Sequence, residues 1–362
     1  MHGAADNNIY IQPLGILRGC VASEAVKAGQ ARWLAGGPLA FSMVKVIFRQ
    51  GAVRYGEALV PLCRLDNYVS DMISSQQEDI SVLLQNISDV RSPRGALEWR
   101  QPLLQGIVNV TPDSFSDGGR YMRRDLAISH ARRLIEAGAD FIDIGGESTR
   151  PGATKVTLDE ELDRVIPVIT GLSDIRVPIS IDTRNRQVME CALEAGATLI
   201  NDVSALSHDS RSLDYVAGVD CPVILMHARN DPGNMQDNPC YDDVLLDVYD
   251  YLKKRLEICR NAGIARARII IDPGIGFGKT VDHNMELMAN LSLFHGLGVP
   301  LLLGVSRKSF IGHITAEKNP DERLAGSLAF GQMGYDQGVQ ILRVHDIRES
   351  RQARDIWLAP GN

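Results

Sequence analysis

Side chains that could do chemistry stand at the ends of apolar runs in the C-terminal part of the chain. Each of eight short apolar runs is followed directly by carboxylates, amides, hydroxyls or cationic groups. A solvated rim is the competing interpretation, but polar residues after all eight runs favour a functional surface. In chain order they are Asn109; Glu147, Ser148, Thr149 and Arg150; Asp182; Asn201 and Asp202; His227; Asp272; Ser306, Arg307, Lys308 and Ser309; and Arg343, His345 and Asp346.

Two aspartates and an asparagine in this set suit the recognition of a polar ring. Asp182 and Asp272 end apolar runs, so their carboxylates should be partly desolvated and must find hydrogen-bond donors. Asn201 offers a donor and an acceptor together, which suits the edge of a heterocycle. The alternatives are local. Either aspartate could cap the helix that follows it, and Asn201 could be a buried structural amide.

Cationic side chains near the last two runs suit an anion. Lys308, with Ser309 opening a helix, can place a positive charge and a helix N-terminus beside a negative group. Arg343 and His345 alternate with Val344, so both should project to one side of the last strand and suit phosphate oxygens. Solvation of Lys308 at the surface is one alternative, and a salt bridge from Arg343 to Asp346 or to a neighbouring helix is another.

Two loops between these elements are rich in glycine. Residues 109–119 read NVTPDSFSDGG, which is too polar for a core and ends in a flexible glycine pair. Residues 273–280 read PGIGFGKT and resemble a phosphate loop, but Pro273 breaks the required pattern. We therefore expect a flexible turn that carries Phe277 and Lys279 above the mouth of the fold. Phe277 would stack on a ring substrate or, alternatively, cap the core.

Regular alternation of elements predicts how these side chains are brought together. The apolar runs are rich in β-branched residues and suit parallel strands covered by helices. Their number and the length of the segment match a (β/α)8 TIM barrel, whose active site lies at the carboxyl ends of its strands. An open doubly wound sheet is the alternative fold. The runs are 103–110, 139–146, 177–183, 197–204, 221–228, 268–275, 300–306 and 339–346.

The first hundred residues follow a different pattern and carry no catalytic motif. We expect a small α+β N-terminal domain over residues 1–100 and the barrel over residues 101–362. Packing, dimerisation and regulation are all open roles for it. Strands are predicted over 9–17, 41–48 and 52–60, a helix over 24–34, and a helix followed by a linker within 74–95.

Composition excludes several classes of protein. A net charge of −7 over 362 residues argues against nucleic acid as the main partner. The six cysteines form no CxxC pair, which indicates reduced thiols and a cytoplasmic location. Apolar runs of about eight residues are too short to span a bilayer, so no membrane association is expected.

Seven motifs in the barrel segment resemble dihydropteroate synthase. They are NVTPDSFSDGG, DIGGESTRPGA, SIDT, LINDVS, DPGIGFGKT, GVSRKSFIG and LRVHD, in the order of that family, and the resemblance covers residues of about 103 to 359. The resemblance implies an enzyme of folate biosynthesis that joins 6-hydroxymethyl-7,8-dihydropterin diphosphate to para-aminobenzoate and releases diphosphate. It also implies a homodimer. It says nothing of the first hundred residues.

The resemblance also implies roles for particular residues. Catalysis would rest on Asp182, Lys308, Asp117 and Arg150. The assigned contacts are Asp182, Asn201, Met226, Asp272 and Lys308 for the pterin; Arg343, His345 and Asn109 for the diphosphate, with Mg²⁺ on Asn109; and Phe115, Thr149, Arg150, Pro151, Phe277 and Ser309 for para-aminobenzoate. Asp117 would pair with Arg150 to close the first two loops over the substrates. The implied mechanism is dissociative, with diphosphate leaving before the amine attacks.

Two other functions would leave a different sequence. A pterin-binding methyltransferase domain, which moves a methyl group to a corrinoid protein, should lack the SRKS segment and the pair formed by Arg343 and His345. A catalytically silent relative should lack one of the site residues, and this chain has them all. One departure from the family is local: Ala228 and Arg229 follow Met226 and His227, which places Arg229 near the rim.

Overall fold

The N-terminal region folds around a four-stranded antiparallel sheet. The computed structural model describes residues 7–94, 97–111, 120–147, 156–229 and 239–359. The central strand β3 pairs with β1 along one edge and with β2 and β4 along the other. The elements are β1 (Asn7–Leu17), α1 (Gly19–Lys27), β2 (Arg32–Trp33), β3 (Ala40–Gln50), β4 (Val53–Pro61), α2 (Leu62–Ser70) and α3 (Ser74–Ser88).

The strands predicted for this region are confirmed, and one helix is not. The predictions for 9–17, 41–48 and 52–60 correspond to β1, β3 and β4, and the helix within 74–95 is α3. The helix predicted over 24–34 is wrong, because α1 ends at Lys27 and Arg32–Trp33 pairs with β3. Gly29 follows at a φ of +68°, a conformation that favours glycine and ends the helix. No helix was predicted where α2 lies.

Eight parallel strands form the predicted barrel. Neighbouring strands pair in the order β10-β9-β8-β7-β6-β5-β12-β11. The ring closes where Ile271 bridges Leu301 and its backbone N–H donates to the oxygen of Pro300 at 3.0 Å. The strands are β5 (Leu103–Asn109), β6 (Phe141–Gly145), β7 (Ile179–Asp182), β8 (Leu199–Asp202), β9 (Val223–Met226), β10 (Ile269–Asp272), β11 (Leu302–Leu303) and β12 (Ile341–Val344).

Helices follow the strands as the sequence pattern predicts. Gly138 and Gly196 take positive φ angles where α4 and α6 give way to the next strands. In the described part of the chain no helix is long and apolar enough to cross a membrane. The helices are α4 (Arg120–Ala137), α5 (Leu158–Thr170), α6 (Arg186–Ala195), α7 (Ser212–Gly218), α8 (Val244–Asn261), α9 (Val281–Ala289), α10 (Ser309–Thr315), α11 (Leu324–Tyr335) and α12 (Ile347–Leu358), with a 3-10 helix at Leu291–Leu297.

The interior of the barrel has an apolar floor. Seven strands each contribute one buried side chain to a single cluster, on which Leu97 packs from below. Side chains two residues further along a strand point to the same face, so the next layer up is also internal. The floor residues are Leu103, Phe141, Leu199, Ile224, Ile270, Leu302 and Ile341. The side chains above them in six strands are Gln105, Asp143, Asn201, Met226, Asp272 and Arg343.

Candidate active site at the carboxyl end of the barrel

The layer above the floor is polar, and an arginine at its centre holds two carboxylates. Arg343 Nε donates to Asp143 Oδ2 at 2.6 Å, and its Nη2 donates to Asp182 Oδ2 at 2.7 Å. Asn201 Nδ2 donates to the same Asp143 oxygen at 3.0 Å. Three consecutive strands and the last strand of the barrel therefore meet in one hydrogen-bonded network inside the barrel.

Asp182 lies in this network as a strongly perturbed acid. Burial raises its pKa to about 8, and Arg343 opposes the rise while Asp143 adds to it. Because one guanidinium serves two buried carboxylates, its attraction offsets only part of the effect of burial on Asp182. Asp182 does not cap a helix, because the residue that precedes α6 is Asn185. That alternative is excluded.

A second acid and its cation lie on the neighbouring side of the mouth. Asp272 Oδ1 accepts from the backbone N–H of Gly274 at 2.7 Å, and burial raises the pKa of Asp272 while Lys308 opposes the rise. Burial lowers the pKa of Lys308 to about 8, against the attraction of Asp272. Lys308 Nζ donates to the oxygen of Ile275 and lies 4.5 Å from the ring centroid of Phe277. Lys308 is therefore half-buried beside the mouth and is not a solvated surface lysine.

The remaining predicted residues lie along the same rim. His345 Nδ1 is 3.0 Å from Ser306 Oγ, and Asn109 ends β5 half-buried. Ser309 is exposed at the first position of α10. Met226 is 3% exposed at the end of β9, so it lines the bottom of the mouth. Phe115, Asp117, Thr149, Arg150 and Pro151 lie outside the described residues.

Asp346 does not pair with Arg343. Its carboxylate instead accepts from Arg307 Nε at 3.0 Å and Nη2 at 2.6 Å. Arg343 pairs instead with Asp143 and Asp182 on two other strands, so the predicted alternative of a salt bridge to Asp346 is wrong.

The glycine-rich turn differs from the prediction for one of its residues. Lys279 does not stand above the mouth, since it is 3% exposed and points inward. Its Nζ lies 2.9 Å from His227 Nδ1 and donates to the oxygens of Gly274 at 2.8 Å and Phe277 at 3.0 Å. A Cβ on Gly274 would lie 1.9 Å from the oxygen of His227, so this close approach requires glycine. Phe277 is half-buried beside Lys308.

Sequence reasoning missed Asp143 and the contact between His227 and Lys279. Asp143 is fully buried in the middle of β6, two residues before the end of the strand. The available signal was a carboxylate inside an apolar run. Because side chains alternate between the two faces of a strand, Asp143 must lie on the interior face of the barrel. The contact of His227 with Lys279 had no such signal, since it joins residues 52 positions apart. Burial lowers the pKa of both groups well below their usual ranges.

The side chains at the mouth suit a polar organic ligand. Within the described ranges no group of three or more His, Cys, Asp or Glu side chains is arranged to hold a metal. Buried acceptors at Asp182 and Asp272, an amide at Asn201 and cations at Lys308 and Arg343 converge instead. Such a set can bind the donor-rich edge of a heterocycle and an attached anion.

Comparison with known proteins identifies the family. The model of the family described as pterin binding enzyme matches residues 105–345. The chain is 46% identical over 259 residues to the dihydropteroate synthase of Escherichia coli K12, covering 71% of this chain and 91% of that protein. It is 44% identical over 262 residues to the dihydropteroate synthase of Bacillus subtilis 168, covering 72% and 89%.

Solved structures agree with these relatives. A dihydropteroate synthase of Xanthomonas albilineans with 4-aminobenzoic acid superimposes with a TM-score of 0.69 at 47% identity, covering 73% of this chain and 94% of that one. A structure of the enzyme from the same organism in complex with 7,8-dihydropteroate gives a TM-score of 0.67 at 44% identity, covering 73% and 95%. The chain belongs to the pterin-binding enzyme family and, within it, to the dihydropteroate synthases.

Proposed function

We propose that this chain condenses 6-hydroxymethyl-7,8-dihydropterin diphosphate with para-aminobenzoate to give 7,8-dihydropteroate and diphosphate, through the side chains at the carboxyl end of the barrel. The observation that carries the proposal is the polar layer above the floor, in which buried carboxylates and an amide face an internal mouth. Membership of the family and the intact set of site residues support it.

The pterin would bind deepest, against Asp182, Asn201 and Asp272. Its amino-pyrimidinone edge offers N–H donors and a carbonyl acceptor, which match two carboxylates and an amide. Met226 would pack on the ring, and Lys308 would donate to it beside Asp272. Because burial raises the pKa of Asp182 to about 8, its ionisation would depend on the ligand and on the position of Arg343.

The diphosphate would lie nearer the rim, at Arg343, His345 and Asn109. The Arg343 guanidinium donates one hydrogen bond to Asp143 and one to Asp182, so it would link the pterin pocket to the leaving group. Asn109 would supply one amide oxygen to Mg²⁺, which fits an ion that takes few protein ligands and relies on substrate phosphates. When bound, Mg²⁺ would neutralise charge that develops on the diphosphate.

Para-aminobenzoate would bind above the pterin, between Phe277 and the exposed hydroxyl of Ser309. Phe115, Thr149, Arg150 and Pro151 would complete this pocket, and an ion pair between Asp117 and Arg150 would close it. These five residues lie outside the described part of the chain, so their roles stay predictions.

The reaction would proceed by loss of the leaving group first. The bond between the pterin methylene and the diphosphate oxygen breaks, and the electron pair leaves with the diphosphate. Asp182 as carboxylate would stabilise the methylene cation. The amine nitrogen then attacks this carbon and loses a proton. Exclusion of water by the closed loops would matter because water competes with the amine for the cation.

We also propose a cytoplasmic homodimer and a boundary near residue 100 between a small N-terminal domain and the barrel. The N-terminal region contacts α8, the 3-10 helix and Trp357 of α12. A second copy would then meet other barrel helices or the outer face of β4, where Val53, Tyr55 and Leu59 are exposed. Sedimentation of the purified protein tests the dimer, and a monomer would contradict it.

The decisive test of the function is product formation by the purified protein. We expect dihydropteroate and diphosphate only when both substrates and Mg²⁺ are present. Release of diphosphate without an arylamine product would contradict the condensation. Tight pterin binding without any product would instead favour the silent-relative or methyltransferase alternative.

A further inference from the structure

The N-terminal region reaches the barrel close to its active-site loops. The β3–β4 hairpin presents Arg49 and Arg54 to the start of α8, which follows the fifth barrel strand. Arg54 Nη2 donates to Asp243 Oδ1 at 2.8 Å, and Arg54 Nε donates to the other oxygen of the same carboxylate. The pairing is therefore bidentate, the geometry that fixes an arginine and a carboxylate most firmly.

Asp243 also organises the start of α8. It is the N-cap, and its Oδ1 accepts from the backbone N–H of Leu246 at 3.1 Å. Asp247 accepts from the backbone N–H groups of Asp242 at 3.1 Å and Asp243 at 3.3 Å, and it pairs with Arg49. Two arginines of the N-terminal region thus hold both carboxylates that shape this turn.

Tyr241, two residues before Asp243, carries the connection into the site. Its hydroxyl donates to the oxygen of Gly278 at 2.8 Å. Its ring packs against His283 with centroids 5.0 Å apart, and Arg229 lies over it at 4.8 Å. Gly278 stands between Phe277 and Lys279 in the glycine-rich turn. The chain of contacts therefore runs from the hairpin to the turn beside Lys308.

We propose that Arg54 is a positioning residue for the synthase reaction, which holds the turn 274–279 in place through Asp243 and Tyr241. The role rests on the proposed function, because Phe277 of that turn is the wall of the para-aminobenzoate pocket. It gives the N-terminal region a part in substrate binding without any contact with substrate. Energetic coupling between two distant sites is carried by packed side chains and hydrogen bonds that connect them.

A second contact of the same region provides the matched control. Tyr10 Oη donates to Asp250 at 2.8 Å, two turns further along α8 and away from the loop. Tyr10→Phe removes this hydrogen bond and leaves the path from Arg54 to Gly278 intact. If Arg54 only helped to hold the N-terminal region on the barrel, Arg54→Met and Tyr10→Phe would have the same effect on KM and on exchange. If Arg54 positions the turn, only Arg54→Met should change them.

The experiment compares steady-state kinetics and hydrogen exchange of full-length variants. For Arg54→Met we expect the KM for para-aminobenzoate to rise about fivefold with kcat changed less than about twofold. Peptides that cover 273–280 should exchange faster than in the wild type. Asp243→Asn keeps an N-cap acceptor and should give the same change in KM. For Arg54→Lys we expect a KM between those of the wild type and Arg54→Met. Tyr10→Phe should leave the KM unchanged.

Tyr241→Phe tests the middle of the path. It should raise the same KM, and combining it with Arg54→Met should add nothing further if both act through Gly278. An unchanged KM and exchange rate in Arg54→Met, with melting temperature lowered as in Tyr10→Phe, would overturn the proposal. So would fully additive effects in the double variant. Should the wild type form no dihydropteroate, the proposed function fails, and exchange over 273–280 alone then decides whether Arg54 holds the turn.

Discussion

Asp182 in the barrel mouth and Asp243 at the N-terminal contact are equally exposed, at 9% of the side chain, and each binds one arginine. Their acidities nevertheless shift in opposite directions. Burial raises the pKa of Asp182 to about 8. Burial also opposes ionisation of Asp243, but the hydrogen bonds from Arg54 and from Leu246 outweigh it and lower the pKa of Asp243.

The difference lies in how completely each carboxylate is satisfied. Asp243 accepts both arms of Arg54 and a backbone N–H. Asp182 receives one arm of Arg343, whose other arm goes to Asp143, and it faces further carboxylates. A saturated pair holds two parts of a fold together. An unsaturated one keeps hydrogen-bonding capacity for a ligand, at some expense of stability.

Removing the shared arginine should have the largest effect on stability. Arg343→Met leaves Asp143 and Asp182 without their cation, and we expect unfolding free energy to fall by about 3 kcal/mol. Chemical denaturation measures it, with the exposed Arg64→Met as control. Adding Asp182→Asn to Arg343→Met should recover part of the loss, because one buried charge is gone. No recovery would mean that the network is already balanced without Arg343.

Removing the unsaturated carboxylate should chiefly affect the reaction. Asp182→Ala should lower kcat by about 100-fold, because the group that stabilises the methylene cation is lost. Its melting temperature should stay close to that of the wild type. Steady-state rates and a thermal scan test this together. A parallel loss of stability would indicate that Asp182 serves the fold as Asp243 does.

The pH dependence of stability distinguishes the two carboxylates directly. Asp182 ionises near pH 4 in an unfolded chain but at about 8 in the folded one, so the folded state binds the additional proton between these values. Its contribution therefore falls as pH rises through that window, by at most about 1.4 kcal/mol per pH unit. Denaturation midpoints of the wild type and Asp182→Asn should diverge between pH 5 and 8. Parallel curves would contradict the raised pKa.

The smallest effect is expected at the saturated pair. Asp243→Asn keeps the acceptor for Leu246 and loses only the ion pair, so we expect a loss of about 1 kcal/mol near neutral pH. Because the pKa of Asp243 is lowered by folding, this contribution should disappear as pH falls through the acid range. Urea denaturation at pH 7 and at pH 3 measures both. An equal difference at the two pH values would mean that ionisation of Asp243 is irrelevant.

The local pattern was enough to place several candidate site residues at the ends of barrel strands. Every predicted apolar run in the barrel contains a strand. Asp182 and Asp272 are the last residues of their strands, and Asn201 is the last but one. Both outcomes were predictable because the alternation of side chains and the length of a strand are local properties of the sequence. Asp143 was overlooked, although its position in the middle of a strand carried the same information. The bounds of α1 were missed because Gly29 stops a helix that composition alone would continue.

The sequence by itself determined the barrel, the ring of polar residues at its mouth and the family, since motifs and periodicity are written along the chain. Only the tertiary structure decided which partners those residues take. Arg343 meets Asp143 and Asp182 across 200 and 161 positions, and Arg54 meets Asp243 across 189. Such pairings depend on the closure of the ring and the docking of the N-terminal region. Burial, which then sets the acidity of each carboxylate, follows from the same closure.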